Sequence, residues 1–287
     1  MFRLIKNILR LILLLIAAGA ILVVYARYVE PHMLTVKDVT VASPRITADA
    51  DNFKIAVFGD THFGDYYTVK DFRKVVGAIG KMKPDMVVFT GDLIDHYDLY
   101  SGDTGKISEM LSEIQAPHGK YAIFGNHDYG GGAENKYQAI MEAGGFTVLK
   151  NDCISIQKLG ITIIGIDDAV IGYGDPSVAS WGRPDHFNIV LAHEPDLIDQ
   201  MMDYNVDLMI SGHTHGRQIN LKFFDRYILP SYGEEYVSGS FRFSNARNSE
   251  LYVNPGVGTT KLPFRLFSPP ELTCITLKQE DGSLTGI

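Results

Sequence analysis

An unbroken apolar run opens the chain. Residues 11–26 carry no charge, and taking in Ile8 and Leu9 extends the run to residues 8–26. As a helix rising 1.5 Å per residue it reaches roughly 28 Å, about the hydrocarbon thickness of a bilayer, with Arg10 snorkelling to the headgroups. A core helix would keep one polar face, and this run has none. Beyond it the pattern shortens. Val36, Val39 and Val41 predict a strand over 34–41 before Pro44, and 45–52 reads as a loop. From Phe53 onward, short apolar runs alternate with stretches of helical spacing. Strands are predicted over 53–59, 86–90, 121–124, 187–192, 208–210, 251–253 and 272–277. Helices are predicted over 69–82, 107–114 and 134–143, with another opened by Pro195 in its first turn. Two further strands, 154–157 and 161–166, flank Leu159-Gly160 as a hairpin. Strand-helix alternation running into hairpins predicts an α/β sandwich of mixed sheets, with 33–287 as one domain.

The flanks of the apolar run suggest an orientation. Arg3, Lys6 and Arg10 precede it, and only Arg27 follows closely before Glu30. The positive-inside rule then sets residues 1–7 as a cytoplasmic tail, 8–26 as a single-pass anchor in the cell membrane and 27–32 as a linker. The 33–287 domain is expected to be extracytoplasmic. A cleaved signal peptide is the competing reading. Ala18-Gly19-Ala20 has the small-x-small pattern, although a cut there would leave 21–24 as an apolar stub, and a cut after Ala26 also fits.

Composition narrows the field. Hydrophobic residues make up 46% of the 287 and charged residues 21%, which supports a large core and excludes disorder. The net charge of −8 argues against nucleic acid as the partner. An acidic protein still binds phosphates where metal ions supply the positive charge. The two cysteines, Cys153 and Cys274, form no Cys-x-x-Cys motif. They are expected as buried thiols, with a disulfide as the alternative.

Five polar clusters stand at the ends of predicted strands: Asp60-Thr61-His62, Gly91-Asp92 with Asp95, Gly125-Asn126-His127-Asp128, His193, and Gly212-His213-Thr214-His215. Strand ends are where an α/β scaffold presents ligands to one crevice. Each cluster alone is an ordinary polar turn. Together they gather five of the nine histidines, leaving His32, His96, His118 and His186 as loop or surface groups. Asp, His and Asn offer oxygen and nitrogen donors for Mn²⁺, Fe²⁺ or Zn²⁺. A carboxylate bridges two such ions at roughly 3.5–4 Å, the spacing used for displacement at phosphorus.

With these motifs the chain resembles the calcineurin-like metallophosphoesterase family from about Phe53 to Lys278, and within it the membrane-associated bacterial phosphodiesterases. The run 191–195 and the tail Gly256-Val257-Gly258, Arg265 and Pro270-Glu271 add to the likeness. The resemblance implies a metallophosphoesterase-type sandwich of two mixed β-sheets flanked by helices, here preceded by one transmembrane helix. It implies two divalent ions, one held by Asp60, His62 and His215, the other by Asn126, His193 and His213, with Asp92 bridging. His127 would act as proton donor, oriented by Asp95 or Asp128, and a metal-bridging hydroxide would attack phosphorus. Arg217 departs from the pattern, standing where the subgroup often has a second glycine. It is either a phosphate clamp or a solvated cation. The second cluster lacks the Asp-Arg-Gly continuation of protein Ser/Thr phosphatases, which weakens a phosphoprotein substrate.

The expected activity is hydrolysis of a phosphodiester or pyrophosphate at the membrane, on a phosphorylated small molecule or a lipid-linked, UDP-diacylglucosamine-like substrate. Alternatives are an envelope phosphomonoesterase and a non-catalytic envelope binding protein. Residues 220–243 carry Phe223, Phe224, Tyr227, Tyr232, Tyr236, Phe241 and Phe243 among Lys222, Arg226 and Arg242. They are read either as core packing with one strand or as a lid meeting the bilayer surface.

Overall fold

The computed structural model describes residues 2–221 and 229–280. The opening apolar run forms one helix, α1 (Phe2–Tyr28), long and apolar enough to cross a membrane. The strand after it is longer than expected, β1 (Thr35–Ser43). Next come β2 (Lys54–Phe58), α2 (Val69–Met82), β3 (Met86–Phe89), α3 (Thr104–Ser112), β4 (Lys120–Ala122), α4 (Tyr137–Ala143) and β5 (Thr147–Val148). The second half is β6 (Asp152–Ile156), β7 (Ile161–Gly165), β8 (Phe187–Leu191), β9 (Leu208–Ser211), β10 (Gly239–Arg242), β11 (Glu250–Val253) and β12 (Glu271–Gln279).

Two six-stranded mixed sheets result, ordered β1-β12-β2-β3-β4-β5 and β10-β11-β9-β8-β7-β6. Alternation along the strands explains their stacking. Ile55, Val57, Val88 and Ile123 of the first sheet pack against Ile161, Ile189, Leu208 and Ile210 of the second, forming the inner core. The opposite side chains of the first sheet, Ala56, Phe58, Phe89 and Phe124, lie under α2, α3 and α4. Those of the second, Ile164, Val190, Met209 and Leu251, are covered by the 3-10 turns Pro176–Trp181 and Pro195–Met201. A strand covered on both faces tends to be apolar throughout, which is why β3 reads as a continuous hydrophobic run.

Helix α2 shows how local sequence sets an element. Thr68 and Asp71 close a capping box at its start, and Lys83 in the left-handed region ends it. Phe72, Val75, Val76 and Ile79 form its buried stripe. Other expectations shift. The helix expected over 107–114 begins earlier, where Asp103 caps Gly105 N–H. The one expected over 134–143 keeps only α4. The segment opened by Pro195 is a 3-10 turn rather than an α-helix. His186 is buried against Thr162 instead of lying at the surface. Cys274 is buried as expected, but Cys153 is exposed, and both are free thiols.

Candidate metal centre

Parallel pairing brings the five clusters to one edge. Phe58 lies opposite Phe89, Phe89 opposite Ala122, and Leu191 opposite Ile210, so β2, β3 and β4 end side by side in the first sheet and β8 and β9 in the second. Backbone bonds then stitch the loops together. Asp60 N–H donates to the Gly91 carbonyl at 2.8 Å, His62 N–H to that of Asp92 at 3.1 Å, and Gly212 N–H to that of His193 at 3.1 Å. His213 N–H donates to Asp60 Oδ1 at 3.0 Å, and His127 N–H to Asp92 Oδ1 at 2.9 Å. Asp60, His62, Asp92, His213 and His215 all take φ between +44° and +73°. That region is costly for residues with a Cβ and gathers at functional sites.

The side chains converge. His62 Nε2 stands 3.0 Å from His215 Nε2 and 3.4 Å from Asp92 Oδ2, while His215 Nε2 is 3.5 Å from Asp60 Oδ1. His193 Nε2 lies 3.2 Å from Asp92 Oδ2. Hydrogen bonds on the far side of two rings select their tautomers. His193 Nδ1–H donates to the Thr90 carbonyl at 2.7 Å, turning the Nε2 lone pair inward. His213 Nε2–H donates to the Ser231 carbonyl at 2.9 Å, freeing Nδ1. Among the described residues, Asp60 Oδ2 and His193 Nε2 are buried without any hydrogen-bond partner. Burial, only partly offset by His193, pushes Asp60 up to about 7, and burial together with His193 pushes His213 down to about 3. Buried carboxyl and imidazole groups with orphaned ligand atoms turned inward fit a divalent cation. Asp60, His62 and His215 could hold one ion, and Asp60, Asp92 and His193 bring their ligand atoms equally close together.

A cleft of about 300 Å³ opens over these groups. Asp92, Asn126, His127, His213, His215 and Arg217 line it, with Gln218, Ile219, Pro230, Thr260, Lys261 and Leu262. His127 Nδ1 is 2.6 Å from the Asp95 carbonyl and 3.6 Å from Asp95 Oδ1. Asp128, the other carboxylate considered for this role, makes different contacts. Its oxygens accept from Asp92, Leu93 and Gly125 N–H at 2.7 to 2.9 Å, so it ties the loop after β3 to the loop after β4. Within 220–243, residues 222–228 lie outside the described residues, Phe223, Phe224, Tyr227, Lys222 and Arg226 among them. Tyr236, Phe241 and Phe243 pack together against the outer face of the second sheet.

Several contributors lack any signal in sequence. The Thr90 and Ser231 carbonyls act through backbone atoms that every residue type offers. Arg265 is fully buried, with Nη2 3.4 Å from His215 Nδ1. The sequence marks it as part of the tail that adds to the family likeness, but nothing there ties it to His215.

Comparison with known proteins agrees with this geometry. The family model described as calcineurin-like phosphoesterase matches residues 53–217. An uncharacterized metallophosphoesterase of Bacillus subtilis, YkuE, is 42% identical over 258 residues, covering 88% of this chain and 89% of its own length. The UDP-2,3-diacylglucosamine pyrophosphatase LpxG of Chlamydia muridarum is 27% identical, with 91% of this chain and 94% of that protein covered. The phosphodiesterase YaeI of Escherichia coli is 29% identical, with 80% and 83% covered. Among solved structures, a dimetal phosphatase from Danio rerio superposes with a TM-score of 0.50 at 10% identity over 79% of this chain and 99% of that one, a likeness of fold alone.

Proposed function

This chain belongs to the calcineurin-like phosphoesterase family, and from that premise we propose that it is a membrane-anchored, two-metal hydrolase of a phosphodiester or pyrophosphate bond. The observation that carries the reading is the inward set of ligand atoms, two of them buried and unpartnered, beneath a cleft with both charged and apolar walls. Asp60, His62 and His215 would hold one ion, and Asn126, His193 and His213 the other. Asp92, whose Oδ2 faces both His62 and His193, would lie between them. Two divalent ions there supply positive charge and water activation, the chemistry that phosphoryl displacement needs.

This chain's own residues do the rest. His127 Nδ1–H is held by the Asp95 carbonyl, which leaves Nε2 to carry a proton to the leaving oxygen. Asp95 also accepts from Thr260 Oγ1 at 2.7 Å, which steadies the loop bearing it. Arg217 and Lys261 bring cationic charge to the cleft, and Ile219, Pro230 and Leu262 bring apolar walls. That mixture suits a phosphate ester with an apolar part, such as a lipid-linked substrate. The name of one relative, a diacylglucosamine pyrophosphatase, points the same way.

Metal analysis of the full chain in detergent, together with hydrolysis of bis-p-nitrophenyl and p-nitrophenyl phosphates, tests the reading. Close to two ions per chain and preference for the diester are expected. Asp92→Asn should lose ion affinity and roughly 10²-fold or more in rate, because Asp92 Oδ2 faces His62 and His193, which would hold different ions. Full activity with one ion or none at saturating Mn²⁺ would overturn the two-metal mechanism.

A further inference from the structure

The base of α1 is built into the catalytic domain. Residues 2–24 are exposed, but Ala26 is buried, and its carbonyl accepts from Arg265 N–H at 2.9 Å. Four residues on, the buried Glu30 carboxylate accepts from Ser268 N–H at 2.6 Å. The Arg265 side chain runs inward, donating to the carbonyls of Gly258, Pro255 and Ser268 at 2.7 to 2.9 Å. Ser268 Oγ donates to the His215 carbonyl at 2.8 Å. The 259–268 loop is therefore tied on one side to the helix base and on the other to the turn that carries His215.

That attachment sets where the loop sits. Thr260, Lys261 and Leu262 line the metal cleft. Leu262 is three residues from Arg265, at most about 11 Å along extended chain. Arg265 in turn touches the last apolar turn of α1. Where α1 crosses a bilayer, hydrocarbon ends near Ala26, and Arg27 and Tyr28 occupy the headgroup layer, roughly 5–8 Å deep on each side. The loop then falls at that depth or just above it. Its exposed side chains match the location: Leu262 is 55% and Phe267 59% exposed, with the exposed Lys261 beside Leu262 and Tyr28 at the helix end. Apolar and aromatic groups with a cation are what a headgroup layer accommodates.

We infer that the 259–268 loop is a membrane-contacting rim, docked in the headgroup layer of the bilayer that holds α1, so that the metal cleft opens onto the lipid surface. The inference rests on the reading of α1 as a membrane span. It assigns the substrate to amphiphilic phosphate esters whose chains stay in the bilayer while the phosphate rises past Leu262 and Lys261. The rim does not move to reach the membrane, because Glu30 and Arg265 hold it at the helix base.

Quenching of a tryptophan placed in the rim tests this. Trp181 is the sole tryptophan of the chain and lies on the outer face of the second sheet. The full chain carrying W181F with F267W or L262W is inserted into nanodiscs of phosphatidylcholine brominated near the headgroup. Rim tryptophans should be quenched, and Trp181 of the unaltered chain should not. In parallel, Phe267→Asp, which is outside the cleft lining, should slow hydrolysis of a long-chain alkyl p-nitrophenyl phosphodiester in vesicles by roughly tenfold, the scale of setting a charge into an interfacial contact. Its hydrolysis of soluble bis-p-nitrophenyl phosphate should persist, which also shows that the variant folds. Unquenched rim tryptophans in chains that resist alkaline carbonate extraction would overturn the rim and leave the anchor standing. Chains extracted by carbonate would overturn both.

Discussion

His127 is held through one nitrogen and works, on the proposed mechanism, through the other. Burial opposes its protonation, but Asp92 together with the carbonyl and carboxylate of Asp95 outweighs burial and raises its pKa. A shift in that direction favours the protonated imidazole, the form that donates to a leaving oxygen. His127→Ala should therefore lower kcat by ~10²–10⁴ while metal content is unchanged. The loss should shrink for p-nitrophenolate, which leaves without a proton, and grow for alkyl esters. Equal losses across a leaving-group series would instead assign His127 to binding the phosphoryl group. Sequence alone leaves its orienting partner open between Asp95 and Asp128, because both stand in the polar clusters and spacing does not say which one meets the ring. The difference is three-dimensional: Asp128 faces three backbone N–H groups, and Asp95 faces the ring.

Elements explain which parts of the chain are readable. Strands β2, β3, β8 and β9 are buried on both faces, and burial continues past the ends of their hydrophobic runs into the polar clusters that begin one to three residues later. The site is legible because an element boundary and a change of chemistry coincide. The short helices are less so. Seven-residue α4 and the Pro195–Met201 turn are decided by packing, since so few residues carry little helical preference of their own. Strand β10 escapes the pattern because only alternate residues of an edge strand are covered. Gly125, between β4 and Asn126, illustrates a demand that no pattern shows. Its φ of −113° and ψ of 177° suit any residue, so the constraint is space. A Cβ there would stand 2.3 Å from Asp92 Oδ1 and 2.8 Å from His193 Nε2. Gly125→Ala should push these two side chains apart and weaken metal affinity by roughly 10–100-fold, the range seen when support around ligands is disturbed. Titration of the apo-protein with Mn²⁺ by calorimetry measures it. Wild-type affinity would mean that the loop relaxes without disturbing the ligands.

At the scale of the whole molecule, the proposed anchor implies a definite side of the membrane for the catalytic domain. Arg3, Lys6 and Arg10 before the apolar run, against Arg27 alone just after it, favour a cytoplasmic N-terminus and an exported domain. A lipid-linked substrate made in the cytoplasm would require the opposite, so the orientation decides which substrates the cleft meets. The two thiols offer a reading without any fused reporter. Cys153 lies exposed on edge strand β6, and Cys274 is buried in β12. A membrane-impermeant maleimide added to intact spheroplasts should therefore label the native chain at Cys153 if the domain is outside, and Cys153→Ser should abolish the label. The thiolate is the reacting form, and partial burial with the neighbouring Asp152 raises the Cys153 pKa. Labelling should accordingly be slow at neutral pH and speed up as the medium is made mildly alkaline. Label that appears only after lysis would place the domain in the cytoplasm, reverse the orientation of α1 and favour a cytoplasmic lipid precursor as the substrate. The rim would still meet the bilayer in that case, because its attachment to the base of α1 does not depend on which leaflet it faces.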